Sequence, residues 1–275
     1  MSLLIIDVGA ASGEFSKHIL KFNATANVYM IEPNHEVNQK QLLAIMEEYK
    51  SRTKYFPIAL GNRNGKVNFY GSTVLQGQIG SIYKINPTKK WDTSIVNQIN
   101  FKAINDVIEI SMVSVEQFLK QNAIAKIDFL KIDTQGNDLN ILESFLTNSM
   151  VECAVVEVNV SGRTEDEIYL GTENSMKRIF DISTKYDYIM YKFIPNVDLT
   201  EFNVFLCKNL DIGFKTLDDL QISKSETFGR YWRVLGIGET YFSEDNLPKL
   251  LIKKFLESFL HPRQSLKSAI NKIVR

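Results

Sequence analysis

The sequence predicts an α/β fold, a Rossmann-like sheet of seven strands, mostly parallel with an antiparallel edge strand, and helices on both faces. Three observations predict it. Short apolar runs recur at Leu3 to Ile6, Val28 to Ile31, Phe129 to Ile132 and Cys153 to Val158, as in strands buried on both faces. The first three of these close in an acid, Asp7, Glu32 and Asp133, and the fourth carries one, Glu157, near its end. Between the runs, apolar residues fall at helical spacing.

The first strand leads into Asp7-Val8-Gly9-Ala10-Ala11-Ser12-Gly13. Gly9 and Gly13 allow a sharp turn and a close approach to a ligand, and Ser12 is placed to cap the helix carrying Phe15, Ile19 and Phe22. A dinucleotide fingerprint requires G-x-G-x-x-G; here the pattern is Asp-x-Gly-x-x-x-Gly, with Ala11 where the second glycine would stand. That wider loop suits a ligand without phosphates and with a cationic amino-acid tail, which describes S-adenosylmethionine. Asp7 is then expected to face the ammonium group, directly or through water. Gly9, Ala10 and Gly13 would form the turn around the ligand. Glu32 closes the second strand, where a carboxylate accepts hydrogen bonds from both ribose hydroxyls. Strand-capping acids and plain turns would leave a similar pattern.

Pro33 suits a helix entrance, followed by an apolar stripe of Val37, Leu42, Ile45, Met46 and Tyr49. Tyr55 to Leu60 reads as a third strand, with Pro57 an awkward member. Ala59 and Leu60 are expected beside the adenine ring. The turn signal Gly61-Asn62-Arg63-Asn64-Gly65 and the run Lys66 to Tyr70 then predict an inserted β-hairpin. From Gly71 to about Asp106 periodicity is lost, the mark of a long, substrate-facing loop or a surface excursion. Val107 to Val113 alternates as a half-exposed strand, and Ser114 caps a short helix.

Ile127-Asp128-Phe129-Leu130-Lys131-Ile132-Asp133-Thr134-Gln135-Gly136-Asn137-Asp138 is the second informative stretch. Lys131 is costly in a buried strand unless paired. Asp133 and Asp138 flank a turn at the strand's carboxyl end, where open α/β sheets bind ligands. They are candidates for a general base, a cation ligand or a group that orients the substrate, with Lys131 positioning one of them; a Lys131–Asp133 or Lys131–Glu157 ion pair shaping the turn is the structural alternative. Gly162 to Asp166 reads as a loop, and Met176, Ile179, Phe180 and Ile182 as a helix. Tyr188 to Phe193 and Phe202 to Cys207 predict a closing antiparallel pair at the sheet edge.

The 275 residues carry 32 basic and 32 acidic side chains, so charge gives no pull toward nucleic acid. The three histidines are scattered, no metal spacing exists, and Cys153 and Cys207 sit in apolar runs rather than a disulfide framework. With no signal peptide and no long apolar span, a cytoplasmic location is expected.

In four stretches the chain resembles the FkbM family of S-adenosylmethionine-dependent methyltransferases: residues 7–16, Ile31-Glu32-Pro33, Ala59-Leu60-Gly61, and residues 127–136. The resemblance implies a seven-stranded methyltransferase sheet over residues 1–207, S-adenosylmethionine as cofactor and methyl transfer to a hydroxyl of a sugar, glycan or natural product. Two departures are Ala11, where the family usually has asparagine, and Asp138, where it usually has glutamate. A non-catalytic binding module and an NAD(P)-dependent oxidoreductase are the competing readings.

Residues 208–275 form a C-terminal extension. Phe228-Gly229-Arg230-Tyr231-Trp232-Arg233 is an aromatic and basic cluster, and residues 247–275 hold seven Lys/Arg against one acid, Glu257. Leu250, Leu251, Phe255, Phe259 and Leu260 give that segment an apolar face. Such a basic amphipathic helix lies on an anionic membrane, or packs on its own domain or a second subunit.

Overall fold

In the computed structural model the described residues are 2–73, 80–86, 106–159, 169–172, 174–195 and 201–222. The main sheet has seven strands: β1 (Leu3–Val8), β2 (Ala26–Ile31), β3 (Thr53–Phe56), β7 (Lys126–Ile132), β8 (Met150–Asn159), β9 (Ile189–Pro195) and β10 (Glu201–Cys207), in the order β3-β2-β1-β7-β8-β10-β9. All neighbours pair in parallel except β10, which is antiparallel to both β8 and β9. The antiparallel strand therefore lies one place in from the edge expected for it, with β9 outermost. A tight connection would force β9 and β10 to be neighbours in any case; what places β10 inside is its long pairing with β8, from Glu201↔Asn159 to Cys207↔Cys153.

Strand alternation divides the core in two. Ile6, Val8, Leu130, Ile132, Val156 and Leu206 face one way, against α3 (Val115–Gln121), α4 (Asp138–Asn148) and α5 (Met176–Lys185). Ile5, Val28, Met30, Phe129, Val155 and Phe205 face the other, against α1 (Glu14–Phe22), α2 (His35–Glu48) and α6 (Leu210–Asp219). Each layer is apolar because both faces of the strands are covered. Cys153 and Cys207 are free and buried in the second layer, where burial raises both thiol pKa values. Leu217, Leu220 and Ile222 belong to that layer too, so the packed body continues past the expected boundary at residue 207.

Two local expectations are corrected. The run Tyr55 to Leu60 is not one strand: it breaks around Pro57, which supplies no N–H to a ladder. β3 stays in the main sheet, and β4 (Ala59–Gly61) turns into a second sheet. That sheet is not a hairpin either. Its order is β4-β6-β5, with β6 (Val107–Ser114) inserted between β4 and β5 (Gly65–Tyr70), parallel to the first and antiparallel to the second. Ile110 and Met112 of β6 fill the space between Ala59 and Phe69, an apolar contact that β4 and β5 alone would lack. Ser114 caps α3 as expected, accepting from the Gln117 N–H at 3.2 Å.

No helix among the described residues is long and apolar enough to cross a membrane. The loop Gly162 to Asp166, the aromatic cluster at 228–233 and the basic segment 247–275 lie outside the described residues, as does most of 71–106.

Candidate functional site

The strand order reverses between β1 and β7, and a cleft of about 350 Å³ opens there at the carboxyl ends of the strands. This is the position where open α/β sheets bind ligands. The loop after β1 forms one wall. Its Gly9 has φ 75°, and a Cβ there would stand 1.8 Å from the Asp133 carbonyl oxygen. Only glycine lets this loop meet the β7 loop, a junction sealed by the Asp133 N–H donating to the Val8 carbonyl at 3.0 Å. Gly13, not Ser12, precedes α1: it takes a left-handed conformation with no side-chain cap. A Cβ at Gly13 would reach within 2.5 Å of Ile45, so this glycine serves the packing of α1 on α2 and stands outside the cleft wall.

The first three N–H groups of the loop are engaged by the protein. Gly9 and Ala10 donate to the Ile31 carbonyl at 2.9 and 3.1 Å, and Ala11 donates to Glu32 Oε2 at 2.8 Å. Glu32 is buried in the wall and also accepts the Asn34 N–H at 2.8 Å on Oε1. Burial raises its carboxyl pKa, opposed by these two backbone bonds and by Lys131. Each oxygen keeps a lone pair for a further donor. Pro33, Ile58, Ala59, Leu60, Phe69 and Ile82 complete that end with a largely apolar surface.

Asp7 is placed otherwise than expected. It is wholly buried behind the wall, accepting from Lys131 Nζ at 3.1 Å and from Ser16 Oγ at 2.7 Å. The pairing follows from register: Asp7 and Lys131 are partners on adjacent strands and point to the same face. Lys131 also donates to the Gly9 carbonyl at 3.2 Å and stands 3.7 Å from Asp133 Oδ2. Burial alone would lower its pKa, but Asp7 and Asp133 outweigh it and raise it. Lys131 touches the cleft edge, yet its donors are engaged by the protein.

Asp138 is corrected as a candidate base. It opens α4 and is 1% exposed, accepting from the Thr134 N–H at 2.6 Å, the Gly136 N–H at 2.9 Å and the Asn174 amide. It ties the 134–136 turn and does not line the cleft. Asp133 does line it, with a side chain 34% exposed; its Oδ1 accepts from Gln135 Nε2 at 2.8 Å. Two further carboxylates in the lining escaped the sequence reading as site residues, Glu14 in the first turn of α1 and Glu157 near the end of β8. Glu157 carried the same signal as Glu32, an acid closing a buried strand.

Among the described residues the lining holds four carboxylates, Glu14, Glu32, Asp133 and Glu157, against one lysine. Such a field repels a pyrophosphate and favours a cation, while Glu32 beside an apolar wall suits a ribose and base. The residues present fit a nucleoside carrying a positively charged tail. Among the described residues no cluster of three or more His, Cys, Asp and Glu could hold a metal ion.

The family model described as "Methyltransferase FkbM domain" matches residues 7–190. Among solved structures, the chain is similar to a precorrin-6y C5,15-methyltransferase from Geobacter metallireducens GS-15, at 8% identity and TM-score 0.38, covering 75% of this chain and 79% of that one. It is also similar to an O-methyltransferase family 2 protein from Planctomyces limnophilus DSM 3776, at 10% identity and TM-score 0.40, covering 75% of this chain and 50% of that one. A third is the N,N-8-amino-8-demethyl-D-riboflavin dimethyltransferase RosA from Streptomyces davawensis, at 8% identity and TM-score 0.41, covering 76% of this chain and 50% of that one. No curated protein matches the sequence.

Proposed function

The chain belongs to the FkbM methyltransferase family and uses S-adenosylmethionine, and from that premise we propose that it methylates a hydroxyl of a sugar, glycan or natural product. Bound in the cleft, S-adenosylmethionine supplies a methyl group on a sulfonium, already an electrophile. The chain's task is to hold an acceptor oxygen in line with that methyl and to receive its proton. Glu32 would hold the ribose hydroxyls, the Ile58–Leu60 wall the base, and the acidic lining the positive charge. Lys131 binds the Gly9 and Asp133 loops together and so sets the width of the cleft.

The observation that carries the hydroxyl reading is a groove of about 600 Å³ that shares Ile82 and Asn137 with the cleft. Asn62, Arg63, Asn68 and Tyr70 line it between the second sheet and α4. Amides and a guanidinium offer paired donors and acceptors to vicinal hydroxyls, and a phenol offers a face to a sugar ring. Asn137 and Asn140 are held in place for this: Asn140 Nδ2 donates to Asn137 Oδ1 at 2.9 Å, and Arg178 donates to Asn140 Oδ1 at 2.7 Å.

Labelled S-adenosylmethionine incubated with the chain and a fractionated cell extract tests the proposal. A labelled methyl ether on a polyhydroxylated product is expected. A label on nitrogen or carbon, or none transferred although S-adenosylhomocysteine binds, would sink it.

A further inference from the structure

Among the described residues, Glu14 and Glu157 are the two cleft carboxylates that accept no hydrogen bond, and of these Glu157 is the one that stands beside Asp133 at the carboxyl ends of β7 and β8. It follows Val156, the last β8 residue paired with β7, just as Asp133 follows the partner Ile132, so the two acids stand beyond the same rung of the sheet. Glu157 lines both the cleft and a small adjoining cavity toward Tyr169, Asn174 and Glu201. The other carboxylates near that end are committed. Glu32 takes two backbone N–H groups, Asp138 is sealed in its turn, and Asp133 is held between Gln135 Nε2 at 2.8 Å and Lys131 Nζ at 3.7 Å. Glu157 accepts no hydrogen bond from any described residue.

We infer that Glu157 is the general base of the methyl transfer and that Asp133 orients the acceptor beside it. This rests on the hydroxyl-methylation reading above. As the acceptor oxygen forms its bond to the methyl carbon, its proton passes to a Glu157 carboxylate oxygen. The carbon–sulfur bond breaks with its electron pair left on sulfur, giving a methyl ether, S-adenosylhomocysteine and a neutral Glu157, which returns its proton to water. The surroundings fit the task. Burial first, then the charges of Glu201, Asp133 and Asp138, raise the Glu157 pKa well above the ordinary carboxylate range, against the pull of Lys131; among the described residues the Tyr169 phenol also faces it. A base whose pKa approaches the working pH is the more effective one.

The test needs no acceptor. In sinefungin a carbon bearing an amine replaces the sulfonium and its methyl, so its ammonium stands where the methyl would be. Calorimetry on the full chain should show sinefungin binding at least about tenfold tighter than S-adenosylhomocysteine at pH 8, the worth of one charge-assisted hydrogen bond. Glu157→Gln should bring the two affinities within about twofold while leaving S-adenosylhomocysteine binding intact; Asp133→Asn and Glu14→Gln should keep the preference. Equal affinities in the unaltered chain, or a preference that survives Glu157→Gln, would overturn the assignment, as would its loss in Asp133→Asn alone. Should Glu157→Gln fail to fold, the unaltered chain decides: a preference rising with pH above the ordinary carboxylate range supports Glu157, and one already complete at pH 5 overturns it. A chain that binds neither compound refutes the cofactor reading itself, a separate outcome.

Discussion

Two pairs of acidic and basic residues stand on the same face of the main sheet. Asp7 and Lys131 are register partners on β1 and β7, while Asp133 and Glu157 lie just beyond the last rung that pairs β7 with β8. The inner pair is sealed: Asp7 is wholly buried and every contact is to protein. The outer pair opens on the cleft, and one of its members is without a hydrogen-bond partner among the described residues. A distance of two residues along a strand separates a strut from a reactive centre. The chemistry of the side chains is similar; what differs is whether the protein has already satisfied them. In a folded chain a partly buried carboxyl that the protein leaves unbonded is the informative one, because the fold bears its cost without a compensating partner.

The largest effect that separates the two pairs should come from the inner one. Lys131→Met leaves Asp7 buried without a cation, a loss of about 3–5 kcal/mol for a broken buried pair. Adding Asp7→Asn removes the stranded charge, and the double variant should recover most of that loss in urea titrations. Its affinity for S-adenosylhomocysteine should stay low, because Lys131 also holds the Gly9 carbonyl and Asp133. A single variant that loses less than about 1 kcal/mol would mean the pair behaves like an exposed one.

The outer pair should respond in the opposite sense. A carboxyl whose pKa is raised by folding contributes stability that is full below the unfolded-state value and is lost as pH rises through the folded-state value. For Glu157 that window opens near 4.5 and runs upward. Glu157→Gln removes the ionisation, so its melting temperature should match the unaltered chain at pH 4 and exceed it at pH 8. Asp133, Asp138, Glu201 and Lys131 face Glu157 and stay in place in both proteins. A lower melting temperature for the variant at pH 8 would show that the charged form is stabilised by the fold, contrary to the role argued for it.

Much of this was legible in the residues. Apolar runs ending in acids marked the strands and the end of the sheet where the cleft opens, and Gly9, Glu32 and Asp133 line that cleft. What escaped depends on contacts distant in sequence. Nothing local tells that β6 would enter between β4 and β5, since its partners lie across the unperiodic stretch from Gly71 to Asp106. Asp7 read as a ligand contact because strand register with Lys131, 124 positions away, is invisible along the chain. Asp138 read as a base because an acid beside a glycine turn looks the same whether it points at a substrate or collects N–H groups. Glu157 was passed over although its pattern was that of Glu32: pattern finds acids at strand ends but does not rank them by what is left unbonded.

The smallest expected effect lies in the loop itself. Ala11 and Gln135 are non-glycine residues in the left-handed region, at φ 46° and 58°, one on each loop flanking the cleft. Gln135 is compensated: its amide donates to Asp133 at 2.8 Å and accepts from the Tyr169 hydroxyl at 2.7 Å. Ala11 has only its backbone N–H on Glu32 to hold it there. An alanine in this conformation bears about 1 kcal/mol of strain that asparagine, which bonds its own backbone locally, largely avoids. Ala11→Asn should therefore stabilise the chain by up to about 1 kcal/mol in urea titrations, whereas Ala11→Val, β-branched, should destabilise it by at least as much. If asparagine gives no gain, the strain is held by the Glu32 contact, and the loop is set by that carboxylate more than by residue 11.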